Sequence, residues 1–95
     1  MKFKDLKFKE RNTGGFGATV EIGEKGYILS VQCGEFIYCS PRKNLSSPSE
    51  YSSFEIAIID PEGRFITDLF IKDHDEEVAG WRSRDEIDDI LTKLL

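Results

Sequence analysis

Histidine is almost missing from this 95-residue sequence, with His74 its only representative. Acid–base catalysis would therefore have one imidazole, set among Asp73, Asp75, Glu76 and Glu77, with no nucleophile close by in sequence. Cysteine is scarce too, and two thiols are too few to staple a secreted scaffold. No apolar run approaches the roughly 18 residues needed to span a bilayer, and the opening Met1-Lys2-Phe3-Lys4-Asp5 lacks the apolar core of a signal peptide. Positive charge is in deficit, with a net charge of −5, which weakens any electrostatic drive toward nucleic acid. Together these absences predict a cytoplasmic protein that is not an enzyme, needs no cofactor or metal, and meets neither membrane nor nucleic acid.

What is present suffices for a fold. Apolar residues make up 39% of the chain, including seven Phe, three Tyr and one Trp, and the length suits one core, so residues 1–95 are expected to form a single domain. Charge is unevenly spread. Residues 1–11 hold five basic and two acidic side chains, whereas 72–95 hold four basic and eight acidic, so the two ends attract.

The pattern predicts an α+β fold, an antiparallel β-meander of about five strands packed against one C-terminal amphipathic helix. Leu6 and Phe8 alternate with charges and predict a short strand over 6–9. Phe16, Ala18, Val20 and Ile22 alternate with Gly17, Thr19 and Glu21 as in a half-buried strand. A four-residue turn at Gly23–Gly26 then sets Ile22 opposite Tyr27, Val20 opposite Leu29 and Ala18 opposite Val31. A tight turn at Gly34-Glu35 predicts a further strand, with Cys33 facing Phe36 and Val31 facing Tyr38. That register puts Cys39 on the face opposite Cys33 and leaves both thiols free.

Residues 41–52 read as the longest loop, and Phe54–Asp60 as a central strand covered on both faces. Asp60-Pro61-Glu62-Gly63 has the signature of a type I turn. It leads into a strand over about 64–71, whose register depends on whether Gly63 forms a bulge; a bulge aligns Phe54 with Phe70, and its absence aligns Phe54 with Leu69. Ser83 and Glu86 form a capping box that starts a helix at Arg84. Its apolar stripe is Ile87, Ile90, Leu91, Leu94 and Leu95, with Asp85, Asp88, Asp89 and Lys93 toward water.

Motifs that carry chemistry fail on inspection. The glycine run Thr13–Val20 enters a strand where a dinucleotide site needs a helix N-terminus. Asp73, Asp75 and Glu77 match the first ligands of a calcium loop, but Val78 stands where Gly is needed and Arg84 where a bidentate Glu is needed. Cys33 and Cys39 sit in strands with no His partner and read as structural. Lys2, Lys4, Lys7, Lys9 and Arg11, interleaved with Phe3 and Phe8, form the one basic aromatic segment.

The candidate interface is therefore Trp81 with Tyr51 and Leu45 of the long loop, because Trp and Tyr supply anchor area and loops carry function. The bland alternative for Trp81 is packing of the helix on the sheet edge. Asp75, Glu76, Asp85, Asp88 and Asp89 offer an acidic surface, either simply solvated or presented to a basic groove. Arg42 and Lys43 are the candidate anion-binding pair for a pocket between the 41–52 loop and the sheet. Exposed strand edges also make a homodimer an expectation.

Four segments carry a resemblance: Met1–Phe8; Gly26-Tyr27 followed by Ser30-Val31; Glu55–Asp60 before a Gly turn; and Asp75–Val78 to Gly80-Trp81 ahead of the helix. On these the chain resembles the small uncharacterised accessory proteins encoded by tailed bacteriophages, with Ile28 departing from the glycine expected after Tyr27. The resemblance implies a phage-type accessory protein in the cytoplasm of an infected bacterium. Taken with the missing catalytic constellation and the acidic, aromatic-bearing C-terminal third, it leads to the expectation of non-catalytic binding to a host protein, with inhibition of a bacterial defence component as one form of it. The alternative is a small-ligand or nucleotide-binding module.

Overall fold

The computed structural model describes residues 1–71 and 77–94. It is a five-stranded antiparallel sheet in chain order, built from β1 (Lys9–Glu10), β2 (Phe16–Ile22), β3 (Tyr27–Cys33), β4 (Phe54–Ile59) and β5 (Ala79–Arg82), and followed by helix α1 (Arg84–Leu94). The α+β meander read from the sequence is the observed architecture. No helix among the described residues is long and apolar enough to cross a membrane.

The β2–β3 hairpin has the predicted register, with Ile22, Val20 and Ala18 opposite Tyr27, Leu29 and Val31. The alternation places Ala18, Ile22, Leu29, Val31 and Cys33 in the core with Phe54, Ile56 and Ile58 of β4. Helix α1 closes this face with Ile87 and Leu91, both fully buried. Each large apolar side chain removed from water contributes about 1.5–3 kcal/mol before entropy is subtracted. The capping box forms as predicted, the Glu86 amide donating to Ser83 Oγ and the Ser83 amide to Glu86 Oε1, each at 3.2 Å. Leu95 of the expected stripe lies outside the described residues.

Three expected strands differ. Residues 36–40 do not pair with β3, whose partner is β4, Val31 facing Ile56 and not Tyr38. After Gly34 the chain turns twice on itself, Ile37 N–H donating to Gly34 O and Cys39 N–H to Ile37 O. That brings Cys39 inward instead of to the face opposite Cys33, and both thiols are buried and free.

The 64–71 strand shrinks to one bridge, Ile59 with Phe65. This is the register of the glycine-bulge alternative, and Gly63 takes the left-handed φ of 83° that such a bulge needs. Beyond Ile66 the ladder ends because a side chain replaces backbone. Thr67 Oγ1 accepts the Ile58 N–H at 3.0 Å and donates to Glu77 O, and Thr67–Leu69 coils into a 3₁₀ turn. The place beside β4 is filled by β5, which no sequence period announced.

The 6–9 strand is displaced, with Phe3–Asp5 a 3₁₀ turn and only Lys9–Glu10 paired. Leu6 is buried, and Phe3 and Phe8 lie with their ring centres 4.8 and 5.9 Å from that of Phe54.

The Asp60–Gly63 turn is held by a buried carboxylate. Asp60 Oδ1 accepts the Glu62 and Arg64 amides and Oδ2 the Arg64 Nε–H at 2.7 Å. The Arg64 amide first, then its guanidinium, holds the Asp60 carboxyl below the usual carboxylate range. A pKa lowered by folding contributes stability that is present above the unfolded value, near 4, and lost as pH falls through the folded value. The urea midpoint of the wild-type chain is expected to drop more steeply than that of Asp60→Asn between about pH 5 and about pH 2. Some slope should survive in the variant, because Glu50 and Glu86 are lowered as well. Parallel profiles would show that Asp60 is not engaged.

Candidate functional site

β4 and β5 are not in simple register. Phe54 faces Arg82 while Ile56 faces Ala79, so Gly80 and Trp81 together oppose Glu55 in a β-bulge. Trp81 takes a left-handed φ of 52°, the one non-glycine residue with positive φ among those described. For a bulky side chain that conformation costs about 1–2 kcal/mol. Even so, 52% of the residue stays exposed.

The bulge turns Trp81 toward the looped-out segment after β3. Its backbone N–H donates to Tyr38 O at 2.9 Å, and the two rings stack 5.3 Å apart at 25°. Tyr38 is fixed in turn by Glu55, whose Oε2 accepts the Tyr38 N–H at 2.9 Å. The Arg42 guanidinium lies 5.1 Å from the centre of the Tyr38 ring, a cation–π contact worth about 0.5–1 kcal/mol at an exposed site. Gly80 permits the approach, because a Cβ there would stand 2.7 Å from Tyr38 Cβ. Phe36, 74% exposed, lies two residues before Tyr38.

Of the predicted interface residues, Trp81 is at the surface and Tyr51 is not. Tyr51 is 1% exposed, and its hydroxyl accepts the Leu45 N–H at 2.9 Å while donating to Lys43 O, so it locks the long loop from inside. Burial raises its pKa. Leu45 is half-buried against the core. The assignment of Tyr51 to the interface is thus overturned: the loop needs an internal post, and a phenol is long enough to serve as one.

Arg42 and Lys43 are both exposed and serve separate neighbours. Arg42 is committed to Tyr38, and Lys43 contributes its carbonyl to Tyr51 with its side chain exposed. Asp85 and Asp89 are exposed, but Asp88 Oδ1 accepts the Phe3 N–H and so anchors the N-terminal turn to α1. Asp75 and Glu76, with Asp73 and His74, lie outside the described residues.

Burial pushes the Cys33 thiol up to about 11 and raises Cys39 as well. Cys39 Sγ accepts from the Gly34 amide and faces Gly34 O, both at 3.3 Å, which makes it a cap on the turn. A shallow cavity of about 570 Å³ lies beside Tyr27, Pro61, Phe65 and Leu69, yet its Arg64 is already paired with Asp60 and Glu62.

Sequence reasoning missed Tyr38 because it was assigned inward on a strand that does not form. The available signal was local. Glycine directly before Trp81 marks a bulge or a close approach, and an aromatic at either end of Phe36-Ile37-Tyr38 leaves only Ile37 to be buried. Comparison with protein-family models, curated proteins and solved structures finds no match to this chain.

The two aromatics should respond oppositely to truncation. Tyr51→Phe is expected to cost about 1–3 kcal/mol in chemical denaturation, because it strips the Leu45 amide and the Lys43 carbonyl of their partner. Trp81→Gly is expected to leave stability within about 1 kcal/mol of wild type, relief of the left-handed strain offsetting the lost contact with Tyr38. The reverse ranking would make Trp81 the structural residue.

Proposed function

We propose that this chain is a non-catalytic protein-binding module, a phage-type accessory protein that docks on a host protein through the Trp81–Tyr38–Arg42 surface. The observation that carries the reading is Trp81 itself, a large aromatic held in a disfavoured backbone conformation and left half in water. A strained residue held in place by a stacked neighbour yet half open to water is what a preorganised anchor looks like, because ordering the side chain in advance lowers the cost of association. Trp, Tyr and Arg are also the residue types that dominate the energetics of protein interfaces.

Support for a binding role over a catalytic one comes from the thiols, both buried and held protonated by their surroundings. The host setting rests on the resemblance carried by Met1–Phe8, Gly26-Tyr27 with Ser30-Val31, Glu55–Asp60 and Asp75–Val78 to Gly80-Trp81, and a defence component is the partner proposed within it.

The test is capture from bacterial lysate with the tagged full chain, followed by calorimetry on the purified partner. Trp81→Gly is expected to weaken binding by about 30-fold or more, the size of an interface hot spot, while its unfolding midpoint stays near wild type. Tyr51→Phe serves as the contrasting variant, expected to lose stability while the native fraction keeps its affinity. A partner that binds wild type and Trp81→Gly alike would remove this surface from the proposal.

A further inference from the structure

β1 covers only the first part of β2, since Lys9 pairs with Gly17 and Glu10 with Phe16. The chain before β1 leaves the sheet to bury Leu6 and to set Phe3 against α1 and Phe54. From Ala18 to Ile22 the outer edge of β2 therefore has no neighbouring strand among the described residues.

The direction of the open backbone groups follows from one hydrogen bond. Gly15 O accepts the Arg11 N–H, so the Gly15–Phe16 peptide turns its carbonyl toward β1 and its N–H toward β3. Alternation along an antiparallel strand then sends the N–H and C=O of Gly17, Thr19 and Glu21 outward. Gly17 meets β1. Thr19 and Glu21 are exposed, and no backbone bond beyond the sheet pairing falls to either among the described residues.

We infer that this edge pairs with the same edge of a second copy, antiparallel about a two-fold axis at Val20. The unpaired stretch is centred on Val20, bounded by β1 on one side and by the Gly23–Gly26 turn on the other, so the axis is set by the chain itself. In that register Thr19 faces Glu21 of the partner subunit. Each exchanges both backbone bonds with the other, which uses every outward group that β1 leaves open. Val20, half-buried at the rim of the core, meets the partner's Val20 and extends the apolar face across the axis.

The charges agree with self-pairing. Glu21 is opposed by the partner's neutral Thr19 and not by a second carboxylate. An isologous pairing of this kind closes after two copies, because it consumes the edge that makes it. It leaves the Trp81 surface of both copies free, so it stands or falls separately from the proposed docking site.

Sedimentation of the full chain over a range of concentration tests the pairing. The average mass of the wild type is expected to rise toward that of a dimer with concentration. Thr19→Glu, which places carboxylates opposite each other at both symmetric positions, should weaken the dimer roughly tenfold, and Thr19→Lys should tighten it by a similar factor. Both changes lie on an exposed face, and matched thermal midpoints at low concentration confirm that the fold is kept. Hydrogen exchange adds a second readout, with the Thr19 and Glu21 amides expected to gain protection as concentration rises. A chain that stays monomeric even as Thr19→Lys, or a dimer that ignores both Thr19 variants and dissociates in Trp81→Gly, overturns the inference.

Discussion

The guanidinium of Arg84 is the junction on which the rest of the molecule depends. It projects from the first turn of α1 and donates to the carbonyl oxygens of Ser49 and Tyr51 at 3.2 and 2.6 Å, with Pro48 O at 3.5 Å. Its plane lies against the Phe3 and Phe54 rings, 5.3 and 5.5 Å from their centres. One planar cation thus gathers the N-terminal turn, the end of the long loop, the central strand and the helix. Arginine suits this task because the rim of its guanidinium, here Nη2, donates to carbonyls while its weakly hydrated faces pack on aromatic rings. Around it, Phe3, Phe8 and Tyr51 cluster on Phe54, and Asp88 ties down the Phe3 amide. A small chain with no covalent cross-link concentrates its organisation at such a point.

That junction also explains which parts of the fold were legible in sequence. The β2–β3 hairpin, β4 and α1 were readable because each signal is local. Alternation fixes the faces, Gly23–Gly26 fixes the register, and Ser83 with Glu86 fixes the first helical residue. The two ends do meet, but through the Phe3 backbone N–H on Asp88, a neutral donor, so the charge contrast read in the sequence is not what this contact expresses. What escaped depends on competition between distant segments. β4 could be joined to β3 by the 36–40 segment or directly, and the direct pairing wins because Ile56 and Ile58 fill the space opposite Val31 and Leu29. The 64–71 segment alternates well enough to be a strand, yet a threonine hydroxyl takes its place on the Ile58 amide, an outcome that no periodicity encodes.

The candidate site was half legible for the same reason. Trp81 stands out in any composition, and its exposure follows from the bulge opposite Glu55. Tyr38 joins it only because the preceding strand ends at Cys33 and the chain folds back, a fact of topology. Tyr51 misled because aromatic residues in loops serve two ends, gripping a partner or holding the loop. Its hydroxyl, engaged on both sides within the loop, marks the second. The surface that results combines a stacked aromatic pair, one guanidinium and little flexible apolar chain, so its shape is set before any encounter.

Gly80 has a consequence that reaches past its own atoms. The space above its Cα is occupied by the Tyr38 side chain, leaving no room for even a methyl group. In a deep mutational scan scored by growth or capture, position 80 would emerge as intolerant of every alternative, in company with residues that touch a ligand. A glycine has no side chain with which to do so. Its apparent importance would be an imprint of the neighbouring rings, and maps that colour residues by sensitivity would draw the footprint one position too wide.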